Sequence, residues 1–135
     1  MNKYFNPALY RDFIKRKLFG DRESYSQTGE DLILSLFFRD QPTGFYVDIG
    51  ANHPKIFNNT YLFYKWGWRG INIEPNPERL RLFEKIRPRD INLNCGIGEK
   101  ELNSDFYLFH PDSLSTFSKE IASSYQNMGH RLTRV

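Results

Sequence analysis

Two short apolar runs, each closed by a chain-breaking residue, constrain this chain more than any other feature. Phe45-Tyr46-Val47-Asp48-Ile49 is an aromatic and β-branched run of the kind that forms a buried strand, and Gly50 breaks it. Ile71-Asn72-Ile73-Glu74 reads as a second strand, its two isoleucines alternating with polar residues, stopped by Pro75-Asn76-Pro77. Residues 59–66 between them read as a helix leading to Gly67 and Gly70. Pro77 suits the first turn of a helix that continues to Ile86 and ends before Pro88. Ile91-Asn92-Leu93-Asn94 is a third strand, and Cys95-Gly96-Ile97-Gly98 a loop. Strand, helix, strand, helix, strand is the order of a parallel sheet with right-handed crossovers, so the expected class is α/β.

Pro7 to Phe19 has an apolar stripe (Leu9, Tyr10, Phe13, Ile14, Leu18) beside Arg11, Lys15 and Arg16, the pattern of an amphipathic helix ended by Gly20-Asp21. A second helix is expected from Thr28, capped by its hydroxyl with Asp31 in capping-box spacing, burying Leu32, Ile33, Leu36 and Phe37. Ser104 to Phe109 alternates like a fourth strand, and Ser118 to Asn127 reads as a helix. The resulting division is an N-terminal helix over residues 1–24 and one α/β domain over residues 25–135.

Composition narrows the setting. A chain of 135 residues with 16% aromatics can build one core, which excludes a disordered or coiled-coil protein. No run approaches the ~20 apolar residues of a membrane span, and no apolar leader with a cleavage site is evident. A lone Cys95 makes no internal disulfide, and no Cys/His cluster has metal-binding spacing, so no metal is expected. The expected location is the cytoplasm. Net charge is +3, all of it within residues 1–23, where six basic side chains meet three acidic ones. A basic end without a charged groove or interleaved aromatics reads as a solvated helix face, so no nucleic-acid partner is expected.

Ligands of parallel sheets bind outside the carboxyl ends of the strands, which directs attention to residues 48–54, 74–77 and 94–98. Glu74 stands 24 residues beyond Gly50. A carboxylate there is the usual partner of ribose hydroxyls, since it accepts two hydrogen bonds from a vicinal diol. A dinucleotide would need G-x-G-x-x-G to bring backbone amides to its pyrophosphate, but Asn52 and Lys55 hold the second and third glycine places. S-adenosylmethionine carries no phosphate, and its ammonium and sulfonium charges favour a nearby carboxylate such as Asp48. Plain turn glycine and exposed strand-end carboxylate remain competing readings of Gly50 and Glu74 on spacing alone.

Longer stretches add to the spacing. Ser26-Gln27-Thr28-Gly29-Glu30-Asp31, residues 44–54 (GFYVDIGANHP), Asn59-Thr60-Tyr61, residues 67–77 (GWRGINIEPNP) and Leu114-Ser115-Thr116-Phe117 resemble, in order, the FkbM family of methyltransferases. The resemblance implies a Rossmann-like parallel sheet with flanking helices, of the class I methyltransferase type, and S-adenosylmethionine as cofactor. It also implies a small-molecule or glycan acceptor, since the family is associated with O-methylation of sugar and polyketide hydroxyls. By position, Asp48, Gly50, Ala51 and Asn52 would meet the aminoacyl end of the cofactor, Glu74 its ribose, and Pro75 and Asn76 its adenine. Asn94, Cys95 and Gly96 would contact the adenine edge, and Gln27 and Glu30 would close over the methionine portion. The family pattern continues with a strand ending in an Asp-Val-Glu-Gly-like motif that does not follow Phe117. The sheet is therefore expected to be incomplete at its C-terminal side, the chain matching the N-terminal part of such an enzyme.

Other residues have a functional and a simpler reading. His53 and His110 could act as general bases for a hydroxyl. A turn residue before Pro54 and a strand-end residue beside Pro111 are the favoured alternatives. Cys95 reads as a small buried hydrophobe. Tyr61, Phe63, Tyr64, Trp66 and Trp68 could line a sugar pocket but read more simply as core. The function classes left open are a methyl transferase acting on a hydroxyl oxygen, a non-catalytic or degenerate cofactor-binding domain and, distantly, a nicotinamide oxidoreductase.

Overall fold

A computed structural model describes residues 23–134. The helix expected over Pro7–Phe19 lies outside the described residues. The chain divides into two compact units, Met1–Gly44 with Lys55–Trp68, and Phe45–Pro54 with Arg69–Val135. Among the described residues no helix is long and apolar enough to cross a membrane.

The first unit holds α1 (Glu30–Phe37) and α2 (Tyr61–Lys65). Its core is aromatic: Phe63 and Trp68 are buried with ring centroids 4.9 Å apart, and Phe38 meets both edge-on at 6.0 and 5.4 Å. The aromatic cluster of the sequence is therefore packing. The expected Thr28 cap is not made. Gly29 caps α1 in the left-handed conformation with no side-chain bond. Asp31 instead folds back and accepts from Ser24 Oγ (2.7 Å), Tyr25 N (2.7 Å) and Ser26 Oγ (2.8 Å). That turns Asp31, Leu32 and Ser35 inward, while Ile33, Leu36 and Phe37 are exposed, against expectation. With Leu32 N also donating to it at 2.9 Å, the carboxylate has four local donors and can be buried at low cost, and it sets which helix face points in.

The second unit is built on a parallel sheet of β1 (Phe45–Ile49), β2 (Arg69–Ile73) and β3 (Ile91–Leu93), in the order β1-β2-β3. α3 (Pro77–Ile86) joins β2 to β3, with Pro77 in its first turn and the Asn76 side chain accepting from Glu78 N at 3.0 Å. The structure is thus mixed α/β with a small parallel sheet, as the strand and helix order implies.

One face of this sheet is polar and is organised by Asp90. Its carboxylate accepts from Tyr46 OH on β1, from Gly70 N and Asn72 Nδ2 on β2 (both 3.0 Å), and from Arg87 Nε (2.8 Å) just beyond α3. Arg87 and Asp90 side chains are both fully buried. The guanidinium lies 5.2 Å from the Tyr46 ring centroid and 5.4 Å from that of Phe83, the buried residue one turn earlier on α3. Burial, followed by the Asp90 contact, raises the Tyr46 hydroxyl above its usual pKa against the opposing pull of Arg87. Tyr46 lies across Gly70, its register partner on β2, and any Cβ at Gly70 would overlap the ring.

The expectation that Phe45–Ile49 is a buried strand fails on the opposite face, where the central strand's Ile73 is buried but its neighbours are not. Phe45, Val47, Ile49, Ile91 and Leu93 are each at least 40% exposed. Asp90 and Arg87 draw α3 to the polar face, and side-chain alternation then turns these residues the other way. A second correction concerns the expected fourth strand. Leu108–His110 forms β4, which pairs antiparallel with β5 (Arg131–Arg134) in a separate two-stranded sheet. Its buried Phe109 meets Tyr125 of α4 (Lys119–Asn127) edge-on at 5.7 Å, and the Ser118 side chain caps that helix.

Removing one partner of a buried, hydrogen-bonded ion pair strands the other charge, at a cost of about 3–5 kcal/mol. Asp90→Ala should therefore lower unfolding stability by about that amount in denaturant titration. A loss of about 0.5 kcal/mol, the size of a surface change, would show that Asp90 does not organise the sheet.

Candidate functional site

The carboxyl ends of β1 and β2 open into a cleft of about 440 Å³, lined on one side by Gly50, Asn52, Glu74, Pro75 and Asn76. That volume lies in the range of small-molecule sites. Gly50 N and Ala51 N both donate to Ile73 O, at 2.9 and 3.2 Å, which turns the chain sharply after β1. Gly50 takes a φ of 69°, and nothing lies within 4 Å of where a Cβ would stand. Asn52 follows at a φ of 53°. Left-handed backbone at both positions lets the loop turn its main chain toward the cleft.

Glu74 is the central group. It is 5% exposed, and its two carboxylate oxygens each accept one backbone amide, Asn52 N and Asn76 N, both at 2.7 Å. One side chain thereby ties the loop after β1 to the start of α3. Each oxygen keeps a lone pair for a further donor. Burial raises the pKa of Glu74 above the ordinary carboxyl value, the two amides pull it back, and the charges of Asp112 and Arg79 act in opposite senses.

The opposite wall is a segment that sequence reasoning assigned no role. It comprises Phe106, Asp112, Ser113, Ser115, Thr116, Phe117 and Ser118. A 3₁₀ turn over Asp112–Leu114 and a bridge between Tyr107 and Thr116 give it shape. Ser115 Oγ accepts from Phe109 N at 3.1 Å, which anchors it to β4. The signal was available in Leu114-Ser115-Thr116-Phe117, one of the stretches that carry the family likeness. Among the described residues lining the cleft, two are acidic (Glu74 and Asp112) and none is basic.

The remaining sequence candidates are distributed differently. Asn94, Cys95 and Gly96 line an adjacent cleft of about 770 Å³, which shares Pro75, Phe106 and Phe117 with the first. The Phe106 and Phe117 rings, 4.6 Å apart, form part of that common wall, and Phe117 sits so close to Gly96 that a side chain there would overlap it. Asn94 Nδ2 is spent on Glu74 O and Pro75 O, at 2.8 and 2.9 Å, and so joins the ends of β2 and β3. Cys95 is exposed, contrary to expectation, because β3 ends before it and leaves it in an open loop. Asp48 and Ala51 do not line the Glu74 cleft. Asp48 is half-buried on β1, and Ala51 is buried.

Gln27 and Glu30 belong to the first unit. Gln27 is exposed. Thr28 holds Glu30 locally, its hydroxyl and backbone amide lowering the carboxyl to about 2. His53 is half-buried in the loop after β1, and His110 is exposed at the end of β4.

The comparisons with known proteins agree with the motif reading. The methyltransferase FkbM domain model matches residues 48–134, well over half of the chain. The chain belongs to the FkbM methyltransferase domain family. No curated protein and no solved structure matches.

The position of Glu74 makes a titration prediction. With its pKa raised in the folded state, the native chain holds this proton more tightly than the unfolded chain. The stability it contributes is full below the unfolded carboxyl value and is lost as pH rises through the folded one. Carbon-13 NMR of the Glu74 carboxyl should give a midpoint above the ordinary ~4.3 of glutamate. A midpoint at or below that value would mean that the two amides outweigh burial.

Proposed function

We propose that this chain is an S-adenosylmethionine-dependent methyltransferase that acts on a hydroxyl oxygen of a sugar, polysaccharide or polyketide-type acceptor, with the sheet serving as part of a Rossmann-like, class I cofactor site. The observation that carries the reading is the charge of the cleft: among the described residues its lining holds the carboxylates of Glu74 and of Asp112, the latter paired with Arg79, and no basic side chain. Such a lining disfavours a pyrophosphate and favours a ligand with ammonium and sulfonium charge. Family membership supports the same choice.

The residues present fit that ligand. Glu74 would accept from the ribose diol with its remaining lone pairs, and the turn at Gly50 and Asn52 would lie against the aminoacyl portion. Pro75 and Asn76 would flank the adenine. When bound, the cofactor would supply an electrophilic methyl group on sulfur for the acceptor oxygen, whose hydroxyl proton would be lost and S-adenosylhomocysteine left behind. Glu74 binds and orients, since a carboxylate tied by two amides cannot swing away. His53 and His110 stay as proposed proton acceptors. Soluble cytoplasmic action on a small-molecule or glycan acceptor completes the proposal.

Calorimetric titration with S-adenosylhomocysteine tests it. Hydrogen bonds to a charged group are worth about 1.5–3 kcal/mol, so Glu74→Gln should weaken binding on the order of tenfold to a hundredfold. Glu78→Gln, an exposed change of the same charge on α3, should leave affinity within about twofold, the scatter of surface substitutions. Equal affinities for wild type and Glu74→Gln would remove the ribose role. Binding of a nicotinamide dinucleotide, with none of the homocysteine compound, would favour an oxidoreductase instead.

A further inference from the structure

The wall opposite Glu74 is short of regular structure, yet it must keep its place for the cleft to have a fixed width. Apart from its bonds to β4, one charged contact reaches it from α3. Arg79 Nε donates to Asp112 Oδ2 across 33 residues of sequence. The two side chains are only 30% and 25% exposed, so the pair is poorly screened compared with a surface contact. Asp112 opens the 3₁₀ turn whose last carbonyl-to-amide step is Ser115 N donating to Asp112 O at 3.0 Å. Thr116 N then donates to Tyr107 O at 3.1 Å. Fixing Asp112 therefore fixes the start of the segment that contributes Ser113, Ser115, Thr116, Phe117 and Ser118 to the cleft.

We propose that the Arg79–Asp112 pair is a latch that positions residues 112–118 as the second wall of the ligand cleft and thereby sets its affinity. The inference rests on the cofactor reading of that cleft. Arg79 starts on the same helix that Glu74 and Asn76 introduce, so the latch references the far wall to the side that holds the ribose. It has an electrostatic consequence as well. Arg79 neutralises Asp112 within the cleft lining, leaving Glu74 as the carboxylate whose charge a cationic ligand meets. Arg79 and Asp112 are positioning residues and need not touch the ligand.

Two measurements on the full chain, made on the same variants, test the latch. The first is hydrogen exchange of the Ser115 and Thr116 amides without ligand, and the second is calorimetric affinity for S-adenosylhomocysteine. Arg79→Ala should speed exchange at both amides at least tenfold and weaken affinity about five- to twentyfold, with thermal unfolding still cooperative. Arg79→Lys keeps the charge but not the fork of donors, and it should recover most of both losses. The exchanged pair Arg79→Asp with Asp112→Arg should bind more tightly than either single change. A general loss of structure would not be repaired by reversing both charges. Unchanged exchange and affinity in Arg79→Ala, or no recovery in the lysine and exchanged variants, would overturn the latch. If the wild-type chain binds no S-adenosylhomocysteine, the cofactor reading fails, and the exchange arm alone still decides whether the pair fixes the wall.

Discussion

The Asp90 carboxylate is the contact on which the second unit depends. It gathers a phenol from β1, a backbone and a side-chain amide from β2, and a guanidinium from the end of α3. Placing two full charges at such a depth is costly unless each lone pair and each N–H finds a partner, and here the donors come from separate elements. The network thereby sets the register of β1 against β2, selects the sheet face that α3 covers and fixes where α3 ends. The strand ends, and the cleft they open, inherit their positions from it.

Glu74 repeats the device one layer up. It is a buried carboxylate satisfied by two amides, and those amides belong to the two loops that border the cleft. Its cost and its use are coupled. Burial raises its pKa, while the amides and its remaining lone pairs make the ionised form a preorganised acceptor for hydroxyl donors. Asp112 is paired with Arg79, so among the described lining residues Glu74 supplies the cleft's negative charge. The Arg79–Asp112 contact keeps that charge from being diffuse.

Much of this architecture could be read from local sequence. β1, β2 and β3 are short segments in which Val, Ile or Leu recurs at every second residue, each with a clear stop. Pro77 and Asn76 mark the start of α3 through backbone geometry that needs no tertiary partner. The position of Glu74 at a strand end also follows from local pattern. What could not be read depends on contacts distant in sequence. Arg131-Leu132-Thr133-Arg134 has one apolar residue and becomes β5 only because Leu108–His110 is beside it. Asp31 looks like a capping residue until Ser24 and Ser26 supply nearer donors. The exposure of Val47 and Ile49 depends on which face Arg87 reaches, and Arg87 alone in a sequence reads as solvated. The wall from Asp112 to Ser118 is polar, short and irregular, so periodicity is silent about it. Only the likeness at residues 114–117 pointed there.

The central claim is that one ligand occupies the cleft between Glu74 and the Asp112–Ser118 wall. It is tested most directly by following the backbone amide resonances of the chain as S-adenosylmethionine is added. The account predicts saturable shifts concentrated at Gly50, Asn52 and Asn76 on one side and at Ser115 to Ser118 on the other. Shifts confined to the loop from Lys100 to Ser104, or none at millimolar cofactor, would contradict it.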